Sequence, residues 1–158
     1  MSDLHKHWLR RCIALAQTQA NSGKGGPFAA IVVRNGEVIA EGCNQVTSTQ
    51  DPSAHAEIVA IRNACQTLGS HQLDGCDIYS SCEPCPMCLG AIFWARPKAV
   101  YFAATRKQAA EAGFDDAFIY EQIALTGGER RIPFIHQPLD CANHPFEHWY
   151  NCTIKQCY

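Results

Sequence analysis

The sequence predicts an α/β protein in which a β-sheet lies between helices, a three-layer α/β/α sandwich. Its 158 residues suit one domain of ordinary size, so we expect residues 1–158 to fold as a single domain. An apolar content of 47% and a charged content of 18% are typical of a globular protein with a core. Helical and strand-like segments alternate along the chain, which is the order expected of layered α/β folds.

The N-terminal half predicts two helices and a hairpin. Residues 4–21 repeat apolar side chains near helical spacing, which indicates an amphipathic helix. The apolar and β-branched runs 28–34 and 38–44 flank an Asn-Gly pair, a typical hairpin turn, and predict two paired strands. A polar loop follows at 45–53. Residues 54–68 then predict a second amphipathic helix, which stops before a glycine.

The C-terminal half continues the alternation of strands and helices. Short apolar runs predict strands at 78–81 and 99–103. Residues 86–95 predict a helix between them, because proline is favoured in a first helical turn. The remaining predictions are helices at 106–112 and 115–124, a strand near 132–136 and a helix at 144–156.

Charge and hydropathy limit the classes of partner. The net charge is −2 and the pI is about 6.4, whereas proteins that bind nucleic-acid polymers usually carry a basic surface. No apolar run approaches the roughly 20 residues that span a bilayer. The N-terminal residues lack the apolar stretch of a signal peptide. We therefore expect a cytoplasmic protein that binds neither nucleic acid nor a membrane.

Ten cysteines raise the question of a disulfide scaffold. Small secreted domains use such scaffolds, but this chain is long enough to build a core and shows no secretory signal. Clustered cysteines are then better explained as metal ligands, and scattered ones as small buried apolar groups or exposed thiols. The scattered cysteines are Cys12, Cys43, Cys65, Cys76, Cys141, Cys152 and Cys157.

Two short motifs carry the chemistry. His55-Ala56-Glu57 opens one predicted helix, and Cys85 and Cys88 open the next one. An imidazole and two thiolates are zinc ligands, and three protein ligands leave a fourth position for water. Residues three apart share a helix face, and the positive end of a helix favours thiolates. We therefore predict one zinc ion per chain, bound by His55, Cys85 and Cys88.

Glu57 lies two residues from the His ligand and is predicted to move protons rather than bind the metal. Zinc with an open position activates water at neutral pH. A nearby carboxylate can take the proton, deliver it to a ring nitrogen and later protonate a leaving amine. This chemistry is hydrolytic deamination, and the pattern H-x-E followed by P-C-x-x-C is typical of zinc-dependent nucleobase deaminases.

Other interpretations of these cysteines stay open at this stage. Cys82 could join Cys85, Cys88 and His55 in a closed four-ligand site, which would make the chain a non-catalytic zinc module. Thiol redox chemistry is a further use of a C-x-x-C pair, but it leaves the H-x-E motif unexplained. His144 and His148, four apart on a predicted helix, could belong to a second metal site.

Several longer segments point to a known family. They are Gly25-Gly26-Pro27-Phe28, Asp51-Pro52-Ser53-Ala54 before the His motif, Ser81 to Ile92 around the cysteines, Trp94-Ala95-Arg96-Pro97 and Ala112-Gly113-Phe114-Asp115-Asp116. On these residues the chain resembles the cytidine and deoxycytidylate deaminase superfamily over nearly its full length. Within that superfamily it looks most like the bacterial guanine deaminases, because of the Gly-Phe-Asp-Asp stretch and the C-terminal aromatic residue.

The resemblance implies a fold, a reaction and a set of substrate contacts. The fold is a cytidine deaminase-like sandwich with a central five-stranded mixed sheet. The reaction converts guanine and water to xanthine and ammonia in purine catabolism and salvage. Asn44 is expected to hydrogen-bond the purine and Asp116 to accept protons from its edge. Phe28 and Trp94 are expected to pack on the ring, and Tyr158 to close the pocket.

The resemblance also implies a homodimer in which the C-terminal segment, about 138–158, crosses to the partner subunit. Two related activities are alternatives at this stage. One is adenosine deamination on transfer RNA, which should require a basic tail that this mildly acidic chain lacks. The other is deamination of another free base or nucleoside, since the zinc motifs do not select the substrate.

Overall fold

The computed structural model describes residues 3–157, and Met1, Ser2 and Tyr158 lie outside the described residues. The chain divides into two compact units, Met1–Ala117 and Phe118–Tyr158, here the first unit and the second unit. Each is described by itself, and the single-domain organisation stays a prediction. No helix among residues 3–157 is both long enough and apolar enough to cross a bilayer.

The first unit contains the sheet and most of the helices. The order of its elements agrees with the sequence prediction, although several bounds differ by a few residues. The elements are α1 (Asp3–Ser22), β1 (Ala29–Arg34), β2 (Glu37–Cys43), α2 (Val46–Thr49), α3 (Ala56–Leu68), β3 (Cys76–Cys82), α4 (Pro86–Ala95), β4 (Ala99–Ala104) and α5 (Arg106–Glu111). The short helix α2 lies in the stretch that was predicted to be loop.

The sheet is mixed, as predicted, with strand order β2-β1-β3-β4. β1 pairs antiparallel with both β2 and β3, while β3 and β4 are parallel. Asn35 and Gly36 have φ values of 54° and 81°, and two positive φ values are what a tight type I′ hairpin turn requires. Because β2 and β3 both oppose β1, their C-terminal ends lie at the same edge of the sheet.

The predicted fifth strand near 132–136 is wrong for the described residues, which contain four strands. Pro133 has no backbone N–H to give to a ladder. The N–H of Phe134 donates instead to the carbonyl of Gly127, at 3.0 Å. The side chains of Ile132, Phe134 and Ile135 are all exposed, so the alternation of a half-buried strand is absent. The three-layer arrangement of the whole chain stays a prediction.

Apolar side chains pack on both faces of the sheet in the first unit. Trp8, Leu9 and Cys12 of α1 form one cluster with Ile31 and Tyr79. A second cluster joins Ala30, Val32 and Ile78 to α3 and α4. Alternation of side chains along β1 and β3 supplies both clusters from the same strands.

Gly42 allows α3 to lie close to the sheet. A Cβ at this position would collide with backbone atoms of Ala56 and Ala60 in α3. Only glycine therefore permits this approach without moving the helix. The consequence is that the first turn of α3 is held against the end of β2, where the H-x-E motif lies.

The second unit has little internal structure. It contains most of α6 (Ala117–Ala124), a 3₁₀ turn (Gly127–Glu129) and α7 (His144–Asn151). The C-terminal helix therefore ends about five residues before the predicted bound of 156. No described residue from 118 to 157 is buried.

Candidate metal centre and active site

The predicted metal ligands lie at the N-terminal ends of α3 and α4. His55 and Cys85 are the N-cap residues of these helices, and both have extended backbone angles. His55 therefore precedes the first helical turn of α3, whereas the sequence prediction had placed it within that turn. Neither side chain caps its helix by a hydrogen bond, so both are available for other partners. Cys88 lies one turn into α4 and is fully buried.

These three side chains have the geometry of a zinc site. His55 Nδ1 lies 3.5 Å from Cys85 Sγ and 3.6 Å from Cys88 Sγ, and the two sulfurs are 3.6 Å apart. Around tetrahedral zinc, bond lengths of about 2.3 Å to sulfur and about 2.0 Å to nitrogen give N–S edges of about 3.5 Å and S–S edges of about 3.8 Å. The observed triangle matches those edges, and the residue types match the metal.

The electrostatics of the cysteines favour cation binding. The hydrogen bond from Cys88 is the main cause that lowers the pKa of Cys85 to about 4, with the bond to His55 adding to it. The same hydrogen bond, together with burial, raises the pKa of the Cys88 thiol. Of the two sulfurs, Cys85 therefore loses its proton more readily. Coordination to zinc deprotonates a thiol outright, so both sulfurs act as thiolates in the metal-bound site.

Glu57 lies in the first turn of α3 beside the triangle and is only 6% exposed. Its Oε2 is 3.5 Å from Cys88 Sγ, and its Oε1 accepts a hydrogen bond from Ser80 Oγ at 3.1 Å. Burial raises the pKa of Glu57 above its ordinary value. A buried carboxyl group with a raised pKa is a stronger base than an exposed one, which suits proton transfer near neutral pH.

The closed four-ligand alternative does not agree with the geometry. Among residues 3–157, the group able to hold a metal ion consists of His55, Cys85 and Cys88. Cys82 is not part of it, and its Sγ lies instead 3.9 Å from the carbonyl of Thr105. The described residues contain no second such group, so His144 and His148 are not joined by a further ligand. All ten cysteines are free thiols.

Asn44 lies at the end of β2 and is buried. Its Oδ1 accepts hydrogen bonds from the backbone N–H groups of Gly26, at 3.2 Å, and Val46, at 3.3 Å. Asn44 was expected to hydrogen-bond the purine through an amide that can both donate and accept. The structure commits the oxygen to the backbone, which leaves the Nδ2 hydrogens as the groups that Asn44 could offer to a ligand.

Asp116 and Phe28 lie in the first unit near this centre. The carboxylate of Asp116 is one of the charges that raise the pKa of His55, after the hydrogen bond to Cys85 and the charges of Cys85 and Glu57. Burial raises the pKa of Asp116 itself. The Phe28 ring meets Phe114 edge-on, with ring centroids 4.9 Å apart. Phe114 belongs to the Gly-Phe-Asp-Asp stretch and thus contacts one of the residues that were expected to pack on the ring.

The two remaining predicted substrate contacts are Trp94 and Tyr158. Trp94 lies six residues after Cys88 on α4. At 100° per residue, this spacing puts Trp94 away from the helix face that carries the Cys88 sulfur. The Trp94 side chain is 63% exposed. Tyr158 lies outside the described residues. Ser80, whose hydroxyl contacts Glu57, was not identified from the sequence. A polar residue in the middle of a buried strand was the signal that could have revealed it.

Comparison with known proteins gives the class of this protein. Residues 2–104 match the family model described as the cytidine and deoxycytidylate deaminase zinc-binding region. Those residues include the whole metal centre, and the matched segment is more than half of the chain. The chain therefore belongs to the cytidine and deoxycytidylate deaminase family.

Within this family the chain is similar to guanine deaminase of Bacillus subtilis. The two sequences are 54% identical over 154 residues, which cover 98% of this chain and 99% of the relative. The crystal structure of guanine deaminase from Bacillus subtilis superposes with a TM-score of 0.96 at 53% identity, covering 100% of this chain and 99% of that one. The tRNA-specific adenosine deaminase of Aquifex aeolicus is 40% identical, over 61% of this chain and 64% of its own length.

Proposed function

We propose that this protein is a zinc-dependent guanine deaminase, which converts guanine and water to xanthine and ammonia in purine catabolism and salvage. The observation that carries the proposal is the buried Glu57 carboxylate beside a three-ligand metal site. The choice of guanine draws on the relative that aligns along nearly the full length of the chain.

Zinc bound by His55, Cys85 and Cys88 supplies Lewis acidity and lowers the pKa of water from about 15.7 toward about 7. The chain's own contribution to the chemistry is Glu57. Its carboxylate takes a proton from the attacking water and delivers it to the ring nitrogen beside the amine-bearing carbon. It then takes the remaining proton from the added hydroxyl group and gives it to the amine, which leaves as ammonia as the carbonyl forms and the carbon–nitrogen bond breaks.

Binding of the base is assigned to the residues around this centre. Asn44 Nδ2 donates to an acceptor on the purine, since its oxygen is held by the backbone. Asp116 accepts from N–H groups on the guanine edge. Phe28 is assigned to pack against the ring and Tyr158 to close the pocket, as the family resemblance implies. Trp94 is assigned to the ring by the resemblance alone, because it lies away from the Cys88 face of α4. A carboxylate facing several N–H donors favours guanine over adenine, because adenine has an acceptor where guanine has its ring N–H.

We further propose a cytoplasmic homodimer whose C-terminal segment, about 138–158, crosses to the partner. The exposed apolar side chains of the second unit support it, because apolar patches on a monomer mark interaction surfaces. They include Ile132, Phe134, Ile135, Leu139, Phe146, Tyr150 and Ile154. The ten free cysteines support a reducing compartment.

The proposed reaction is tested by ammonia release from zinc-loaded protein that is given guanine, adenine, cytosine, cytidine and a transfer RNA in parallel. We expect release from guanine alone, with xanthine as the other product. Release from the RNA alone would replace the substrate and keep the zinc chemistry. No release from any of the five, with one zinc bound per chain, would contradict the proposed function.

The swapped tail is tested by mixing two impaired chains, Glu57→Gln and Tyr158→Ala, after joint refolding or co-expression. In a swapped mixed dimer, the Glu57→Gln chain lends its intact tail to the partner that retains Glu57. Random pairing then restores about one quarter of the wild-type sites. Recovery no greater than the sum of the two separate activities would contradict the swap, and light scattering measures the dimer independently.

A further inference from the structure

Ser80 occupies an unusual place for a hydroxyl group. It lies in the middle of β3, opposite Ala30 of β1 and Phe102 of β4, and is 1% exposed. Its neighbour two residues away on the same face, Ile78, belongs to the apolar cluster beneath α3 and α4. A hydroxyl buried in such surroundings is costly unless it forms hydrogen bonds.

The hydrogen bonds of Ser80 give the hydroxyl a fixed direction. Its Oγ accepts the backbone N–H of Cys82 at 3.4 Å and donates to Glu57 Oε1 at 3.1 Å. A serine hydroxyl has a single hydrogen, and here that hydrogen goes to the carboxylate. β3 therefore contributes one specific contact to a side chain that is carried by α3.

That contact restrains one side of the carboxylate. The terminal torsion of a glutamate is broad, so the plane of an unrestrained carboxylate rotates readily. In this structure Oε1 is held by Ser80, and Oε2 is left toward the metal site, 3.5 Å from Cys88 Sγ. Proton transfer requires the carboxylate oxygen within hydrogen-bond reach of the reacting group.

We propose that Ser80 is a positioning residue for the deamination, which acts by holding Glu57 Oε1 so that Oε2 faces the metal site. The inference rests on the proposed function, because it assigns Ser80 a role through the proton-carrying Glu57. Ser80 Oγ is hydrogen-bonded to Glu57 and to the N–H of Cys82, so the proposed role acts through Glu57. Its removal should slow the chemical step and leave zinc and substrate binding in place.

The first test compares Ser80→Ala with a matched control on the same strand. Ser81 is also a buried serine, and its Oγ accepts the N–H of Ala29 at 3.1 Å instead of contacting Glu57. We expect Ser80→Ala to lower kcat about 10- to 100-fold, the usual cost of losing an outer partner of a metal site. KM for guanine should change less than about twofold, and zinc should stay at one per chain. We expect Ser81→Ala to retain near wild-type kcat.

Rescue separates positioning from packing. Ser80→Thr keeps the hydroxyl and suits a strand, so it should recover most of the lost kcat. The inference is overturned by a Ser80→Ala kcat within threefold of Ser81→Ala, or by a kcat loss that follows zinc loss. It is also overturned if a zinc-loaded Ser80→Thr protein, with its hydroxyl bonded to Glu57, is as slow as Ser80→Ala.

Crystal structures of zinc-loaded wild type and Ser80→Ala give a readout that does not depend on the substrate. We expect the Glu57 carboxylate to turn away from the metal site, or to occupy two orientations, in the variant. An unchanged, single orientation overturns the inference. If wild-type protein releases no ammonia from guanine, the proposed function fails, and these structures still decide whether Ser80 orients Glu57.

Discussion

The two units of the chain differ in where their apolar side chains lie. The first unit contains all of the buried apolar side chains of residues 3–157, on both faces of a four-stranded sheet, and holds the metal ligands at one edge. In the second unit no described residue is buried. The family model ends at residue 104, whereas similarity to guanine deaminase of Bacillus subtilis extends over 98% of the chain.

This difference indicates that the two units have different roles. A metal site needs ligands held within tenths of an ångström, and packed helix ends on a sheet provide that rigidity. A segment that exposes its apolar residues gains stability only when another surface covers them. We infer that the first unit provides the zinc chemistry common to the family. For the second unit, the role that we propose is assembly with a second copy of the chain.

The largest expected effect lies at the ligand triangle. Cys88→Ala removes a buried ligand, so zinc content should fall well below one per chain. Since zinc supplies several kcal/mol of transition-state stabilisation, ammonia release should fall by on the order of 10³-fold or more. Metal analysis and ammonia assays measure the two quantities. Cys82→Ala is the matched control, because that thiol is buried but is not part of the group.

The next effect separates catalysis from mere metal binding. Glu57→Gln keeps the size of the side chain and removes its proton-carrying function. We expect kcat to fall about 10²- to 10⁴-fold, which is the usual contribution of general acid–base catalysis. Zinc content and the circular dichroism spectrum should match the wild type. An unchanged kcat would remove Glu57 from the mechanism and return the non-catalytic zinc module to consideration.

The contrast between the units also explains which features could be predicted from the sequence. His55, Glu57, Cys85 and Cys88 could be found because local spacing fixes positions on a helix, and strand order fixes which helix ends meet. The fifth strand could not be tested by local pattern alone, because a strand exists only when another strand pairs with it. Its apolar residues Ile132, Phe134 and Ile135 looked suitable, yet Pro133 and the hydrogen bond from Phe134 to Gly127 lead the backbone elsewhere.

Side-chain hydrogen bonds across the fold were equally hard to foresee. The sequence indicated that Asn44 suits purine recognition, but not that its oxygen is already bound by Gly26 and Val46. Nor did any local pattern connect Ser80 to Glu57, which lies 23 residues away. Strand alternation predicts that such a serine is buried, and only the assembled fold shows which acceptor it finds.

A smaller effect is expected at the end of the first unit. Asp116→Asn removes a charged acceptor, and hydrogen bonds to charged groups contribute about 1.5–3 kcal/mol. We therefore expect kcat/KM for guanine to fall about 10- to 150-fold while zinc content stays constant. The adjacent Asp115→Asn is the control, since its Oδ1 accepts the N–H of Ala117 at 2.8 Å and asparagine can replace it. Equal losses in both variants would contradict the assignment of Asp116.

The smallest effect on the isolated chain is expected in the second unit. Ile135 is 73% exposed, and an exposed substitution usually changes the free energy of unfolding by less than about 0.5 kcal/mol. Ile135→Lys should therefore leave zinc content unchanged, and it should lower the dimer fraction measured by light scattering if a second copy covers this side chain. Gln137→Lys adds the same single positive charge at another exposed position of the unit and serves as the control. A dimer fraction equal to that of the control would mean that Ile135 lies outside any interface, and the comparison would then rest on the other exposed apolar residues of the unit.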